Sequence, residues 1–313
     1  MTTDQKNDTT TINRCFMTTG LDRDTPIYRF VPWRWIRDLL VDENLALVRP
    51  ENWDDPYELI NRPIQVDVID GRGARARKIL DGSNFEVFSM SWTTKDMADT
   101  MLRAYSKLSP AKGEVDIFDL AAHANEAVQI STTVGKLHDA IAHSLKNTPS
   151  FERLYLSKVE YVSDSLLSRR VGGIYANGPD FGKTSDCVAS LLSLKRDAYE
   201  AEQEIRPIVL LNDAAKDVSV LKVKINPREL IDSISIDPRL RSSKVSGFQM
   251  QAYHNRLVVI RDWGFGSKIR ESHLYSASPM FESILEIDSP NVYLDEDAKA
   301  RWRAFLTQHQ MNV

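Results

Sequence analysis

Apolar runs in this chain are short, and their period changes from segment to segment. The longest purely aliphatic runs, residues 208–211 and 257–260, are four residues each. Stretches with strand alternation, such as 154–162, lie between stretches with helical spacing, such as 33–42 and 134–145. The two kinds mix without a regular strand–helix–strand period, and no repeat of 20–50 residues is visible. That pattern predicts an α+β fold with mixed or antiparallel strands and surrounding helices. A doubly wound parallel sheet is disfavoured. No run approaches the roughly 20 apolar residues that cross a bilayer.

Residues 1–25 read as a flexible leader, and residues 26–313 as one domain, since no Gly/Ser/Pro linker divides them. Strands are expected over 27–30, 45–48, 85–92, 115–118, 154–162, 205–211, 218–225 and 231–236. Helices are expected over 33–42, 95–108, 120–128, 134–145, 186–200, 243–257 and 294–308. Residues 71–78, with Arg72, Arg75, Arg77 and Lys78, read as a basic loop or helix start.

Composition narrows the classes further. The 313 residues carry 40 Lys+Arg against 44 Asp+Glu, a net charge of −4, with 42% hydrophobic residues. A chain this close to balance is not a bulk nucleic-acid coat. The first dozen residues hold no apolar core of a secretory signal. Two cysteines, Cys15 and Cys187, are too few for a disulfide framework and fit a reducing compartment. A cytoplasmic location is the expectation.

Two motifs tempt and fail. Asn177-Gly178-Pro179-Asp180-Phe181-Gly182-Lys183-Thr184 imitates a phosphate loop between a strand-like 171–176 and a helix. A true loop needs glycine where Asn177 stands, because its backbone must approach the phosphates. A Gly-Pro turn with Thr184 or Ser185 capping the next helix explains the segment better. His138 and His143 are five apart, so a helix would place them on different faces, and neither cysteine has a partner at ligand spacing. No metal site is expected.

Three segments remain. Arg29 interrupts the apolar strand Tyr28-Arg29-Phe30. Ser89-Met90-Ser91-Trp92-Thr93 alternates hydroxyls with large apolar groups. Glu202-Gln203-Glu204-Ile205-Arg206 puts two carboxylates where a helix passes into a strand, and extended backbone there would send Glu202, Glu204 and Arg206 to one side. Each has a plainer use. Arg29 can pair with an acid at a sheet edge, the hydroxyls can be the wet face of a strand, and the two acids can end a helix in water. The last use is the weakest, because a helix C-terminus disfavours negative charge. Asn52-Trp53-Asp54-Asp55-Pro56-Tyr57-Glu58 has the residues of a turn.

In the order Arg, Ser-x-Ser, Glu-x-Glu, these segments resemble the signature of the arginine-specific, toxin-like ADP-ribosyltransferases. The resemblance implies NAD as the small-molecule substrate, held by Arg29. It implies Ser89 and Ser91 as supports of the nicotinamide pocket, Glu204 as the catalytic carboxylate, and Glu202 as the group that orients the acceptor. Tyr105 is a candidate to stack on nicotinamide or adenine. Ser-Met-Ser stands where that family usually has Ser-Thr-Ser.

Over nearly its whole length, the chain also resembles a largely uncharacterised bacterial family, domain-of-unknown-function family 2971. The matching segments are Tyr28 to Phe30, Asn52 to Glu58, Phe88 to Thr93, Met101 to Ser106 and Lys195 to Arg206. The turn carries one extra residue, and Leu102 replaces a usual tryptophan. Members tend to be accessory or defence genes, which implies a phage-defence or toxin effector whose acceptor, protein or nucleic acid, the sequence leaves open. On this resemblance Asp55 or Glu58 would line the NAD cleft. The rival expectation is a nucleotide-sensing or partner-binding module of the same fold without turnover.

Overall fold

A computed structural model describes residues 14–18, 20–53, 55, 58, 64–69, 72–73, 75–80, 85–108, 125–176, 184–212, 218–241 and 247–275, with 296, 297, 300, 301 and 304 near the end. Two compact units divide the chain, Met1–Tyr275 and Ser276–Val313. The sequence did not mark that boundary. In the second unit the described residues are helical.

The first unit is α+β. Its strands are β1 (Cys15–Met17), β2 (Pro26–Pro32), β3 (Asn44–Val48), β4 (Ile64–Ile69), β5 (Arg75–Leu80), β6 (Glu86–Ser89) and β7 (Trp92–Thr93). They continue with β8 (Ala127–Thr133), β9 (Phe151–Lys158), β10 (Glu160–Val162), β11 (Leu194–Arg196), β12 (Glu204–Leu211), β13 (Val220–Lys224) and β14 (Ser233–Ile236). The helices are α1 (Trp33–Leu40), α2 (Asp99–Tyr105), α3 (Val134–Leu145), α4 (Asp164–Ala176), α5 (Ser185–Leu192), α6 (Pro227–Leu230) and α7 (Gly247–Ile260).

Ten strands form one sheet in the order β13-β3-β6-β12-β7-β2-β8-β14, with β9 on the other edge of β12 and β1 parallel to β9. Apart from that last contact the pairings in this sheet are antiparallel. Among the described residues no helix is long and apolar enough to cross a membrane.

Strand β12 organises the core, and all eight of its residues are buried. The two-residue period divides them. Ile205, Val209 and Leu211 join the main core with Phe88, Trp92 and Leu154, while Ile208 and Leu210 pack on Val188 and Leu192 of α5. Glu204 and Arg206 share that second face, so one side of β12 begins charged and ends apolar. Pro207 sits in this central strand without disrupting it. Its carbonyl accepts from Ser89 Oγ at 2.8 Å, so its missing N–H falls on the same edge. There β12 passes from β6 to β7 and has no ladder partner to lose.

Several sequence expectations change. Cys15–Met17 pairs with β9, so the leader expected over 1–25 does not extend to its second half. The helix expected over 186–200 stops at Leu192; β11 and a 3₁₀ turn, Asp197–Glu202, follow. Residues 171–176 belong to α4, and Arg75–Leu80 is a strand paired with β4. Residues 127–133, which begin inside a helical expectation, are a strand buried almost throughout. Its polar members are satisfied there: Thr132 Oγ1 donates to Leu230 O at 2.5 Å, and Ser131 bonds Ser233 at 2.6 Å. The strand expected at 115–118 and the phosphate-loop imitation at 177–183 lie outside the described residues, as does most of the helix expected over 294–308.

Candidate active site

Strands β6 and β7 are one expected strand broken at Met90 and Ser91. The break separates the two serines. Ser89 stays in the ladder, fully buried and bonded to Pro207 O, and it is not among the residues that line the cleft described next. Ser91, released from pairing, turns its hydroxyl to Glu204 Oε2 at 2.6 Å and lends its carbonyl to Arg29 Nη1 at 2.5 Å. Arg29 on β2 and Glu204 at the start of β12 are thus joined through one residue.

A cleft of about 470 Å³ opens there, within the range of small-molecule sites. Arg29, Ser91, Tyr105, Glu202 and Glu204 all line it. So do Asp55 and Glu58 of the turn, and the rings of Tyr28, Trp53 and Tyr199. Four of the sequence candidates therefore converge with Tyr105, and Ser89 does not.

Gln203 explains how two acids two positions apart reach one place. It adopts a left-handed conformation at φ 45° between the 3₁₀ turn and β12. Thr93 Oγ1 holds the carbonyl of Glu202 at 2.6 Å, and the Glu204 N–H donates to Tyr161 OH at 2.8 Å. Both carboxylates then meet Lys195, whose Nζ lies 2.8 Å from Glu202 Oε2 and 2.6 Å from Glu204 Oε1. Arg206 completes the group. Its Nε donates to Glu204 Oε2 at 2.7 Å, Nη2 to Glu58 Oε1 at 2.5 Å, and Nη1 to Leu192 O at 2.9 Å. The guanidinium also lies 4.6 Å from the Trp53 ring centre.

The two carboxylates separate in acidity. Burial would raise Glu204, but Arg206, Lys195 and the hydrogen bonds it accepts outweigh burial and hold it well below the usual range. Glu202 has the opposite balance: burial and the neighbouring Glu204 push it up to about 7 against the pull of Lys195. Burial draws the Arg29 guanidinium down to about 10, with Tyr105 and Glu204 opposing, so it stays cationic at neutral pH. Burial and the negative charge of Glu202 and Glu204 push the Tyr105 phenol above its ordinary range.

A pH dependence follows from the sign of each shift. Glu202 keeps its proton in the folded state after the unfolded chain has lost it, so this residue makes stability fall as pH rises from about 4.5 to about 7. Glu204 acts oppositely and makes stability fall as pH drops below its unfolded value. Urea midpoints at pH 5 and pH 8 are expected to show the first decline in the wild type and a weaker one in Glu202→Gln. Equal declines in the two proteins would remove Glu202 as its source.

Lys195 and Arg206 were not named as site residues from sequence, whereas Asp55 and Glu58, named there as alternatives for lining the cleft, both do so. Lys195 entered only as the first residue of the Lys195–Arg206 segment, inside the helix expected over 186–200. Among the described residues no group of three or more His, Cys, Asp or Glu is placed to hold a metal ion.

No family model and no curated protein matches the chain. Two solved structures overlap it weakly, both of DarT from Thermus sp. 2.9. One is in complex with ADP-ribosylated ssDNA (10% identity, TM-score 0.29, 80% of this chain and 94% of that one). The other is in complex with NAD+ (11% identity, TM-score 0.28, 80% of this chain and 96% of that one). Overlap of this degree fixes neither an activity nor a substrate.

Proposed function

We propose that the cleft binds NAD and transfers ADP-ribose to a macromolecular acceptor in the cytoplasm, as an effector of a bacterial defence or toxin system. The supporting observation is the Arg29–Ser91–Glu204 link, which brings a guanidinium and an ionised carboxylate to opposite ends of one serine. The donor set fits the dinucleotide. Arg29 spends one N–H on Ser91 O and has others for the pyrophosphate or ribose oxygens, which a guanidinium grips in pairs. Tyr28 and Tyr105 line the cleft as candidates to stack on a planar base.

Cleaving the glycosidic bond develops positive charge on the ribose as the electron pair leaves with nicotinamide. A fixed carboxylate stabilises that charge best where water is scarce. Glu204, 2% exposed and held ionised, is that carboxylate. Glu202, with its raised proton affinity and freer side chain, accepts the proton of the attacking acceptor group. Kinship with domain-of-unknown-function family 2971 belongs to the same proposal, resting on the turn and the Lys195–Arg206 segment.

One observation favours binding without turnover. Glu204 is already matched by Lys195, Arg206 and Ser91, and a carboxylate so fully satisfied can serve recognition alone. Calorimetric titration with NAD, followed by measurement of nicotinamide release, separates the readings. Heat and release together are the expected result. Binding without release would support the recognition reading, and absence of both would overturn the proposal.

A further inference from the structure

The cleft holds more acid than the proposed chemistry uses. Three carboxylates surround two cations. Glu204 touches both Lys195 and Arg206, Glu202 touches Lys195, and Glu58 accepts from Arg206 at 2.5 Å while lying 3.5 Å from Lys195 Nζ. The turn that carries Glu58 has ties besides its carboxyl group. That turn is closed by the backbone, Glu58 N–H to Asp55 O at 3.1 Å, and Asp55 fastens it to β11 through Arg196 at 3.1 Å. Burying a carboxylate has a large desolvation cost unless its charge is used. Glu58 is buried nonetheless, with its side chain 5% exposed.

The charge count gives it a use. With all five groups ionised, as they are above the Glu202 midpoint of about 7, the set carries −3 and +2, a surplus of −1. Side-chain exposures of 5% for Glu58, 2% for Glu204 and 16% for Glu202 place the surplus on Glu202, beside the cleft. Without Glu58, Lys195 and Arg206 would neutralise the Glu202/Glu204 pair completely, and that pair would present no net charge to a ligand.

We propose that Glu58 is a positioning residue that occupies Arg206 and part of Lys195, so that Glu202 and Glu204 present one surplus negative charge to a cationic ring or sugar. Only the identity of that cation rests on the NAD reading. The other groups facing Glu202 are Tyr105 at the end of α2, bonded to it, and Tyr161 on β10. Both phenols stay neutral near pH 7 and leave the count unchanged, since burial pushes each of them up.

The test reads Glu202 directly, by carbon NMR titration of carboxyl-labelled glutamate assigned with Glu202→Gln. Glu58→Gln removes one negative charge and is expected to lower the Glu202 midpoint by about one unit. Lys195→Gln is expected to raise it by a similar amount. The double variant Glu58→Gln/Lys195→Gln restores the count and is expected to titrate like the wild type. A role confined to packing would not produce that return. An unchanged midpoint in Glu58→Gln, or a double variant further from wild type than either single one, would overturn the proposal. Should Glu58→Gln fail to fold, Lys195→Gln and the double variant still decide the sign.

If the wild type releases nicotinamide, Glu58→Gln is expected to lower kcat about tenfold with KM nearly unchanged, because the surplus charge acts on the developing cation. If it releases none, the NAD reading falls while the titration still decides the role of Glu58.

Discussion

Arg206→Met is expected to destabilise the protein by about 3–5 kcal/mol, the cost of leaving buried charge unpaired. Arg206 is fully buried near the start of β12 and engages Glu204, Glu58 and the end of α5 at once. Methionine fills much of its volume but answers none of those groups. Glu204 would keep Lys195 and Ser91, whereas Glu58 would keep only Lys195 at 3.5 Å. A domain of ordinary stability has about 5–15 kcal/mol in total, so the variant should lose roughly 10 °C in Tm. Lysine is a poor rescue, since a single ammonium cannot fork between two carboxylates and a carbonyl.

The comparison that fixes the scale is Arg23→Ala. Its 2.5 Å pair with Asp139 is half exposed on both sides, and such pairs contribute about 0–1 kcal/mol. Melting curves of the two variants should differ sharply. If Arg206→Met melts within about 2 °C of Arg23→Ala, the charged group is not part of what holds β12 in place.

That group also marks the limit of reading this chain from sequence. The alternation of 154–162 and the apolar run 208–211 announced β9 and β12, because burial on one or both faces leaves a direct trace in residue type. Arg29, Glu202 and Glu204 were legible for a related reason: each is a charge where the local pattern wants none. Lys195 was hidden by length. Three strand residues between α5 and a 3₁₀ turn do not break helical spacing visibly, so the lysine fell inside the helix expected over 186–200.

Glu58 was visible only through the resemblance, since its neighbours Asn, Asp and Pro account for a turn without it. Ser89 and Ser91 looked equivalent by alternation, and only the break at Met90 gives them different fates. In β8, Gln129 and Thr132 are 3% and 1% exposed despite their polarity. Burial of satisfied polar residues erases the periodic signal that would have identified the strand.

Glu204→Gln is expected to leave a folded protein with its nicotinamide release lowered by about 10²–10³, the scale of losing one preorganised charged group at a reacting centre. The fold survives because no cation is stranded. Arg206 keeps Glu58 and the Leu192 carbonyl, Lys195 keeps Glu202, and Ser91 can still bond the amide oxygen. What disappears is the carboxylate that stays ionised at neutral pH and faces the sugar as its bond to nicotinamide lengthens.

Glu202→Gln separates the two steps. With Glu204 intact, bond cleavage should continue and release of nicotinamide to water should fall far less than in Glu204→Gln. Transfer of label to an acceptor should fall more, because the residue that accepts the acceptor's proton is gone. Parallel assays of nicotinamide release and label transfer on the two variants therefore carry opposite signatures. Equal loss of both products in both variants would mean that the acids act as one charged unit, and the division of labour between Glu202 and Glu204 would fall.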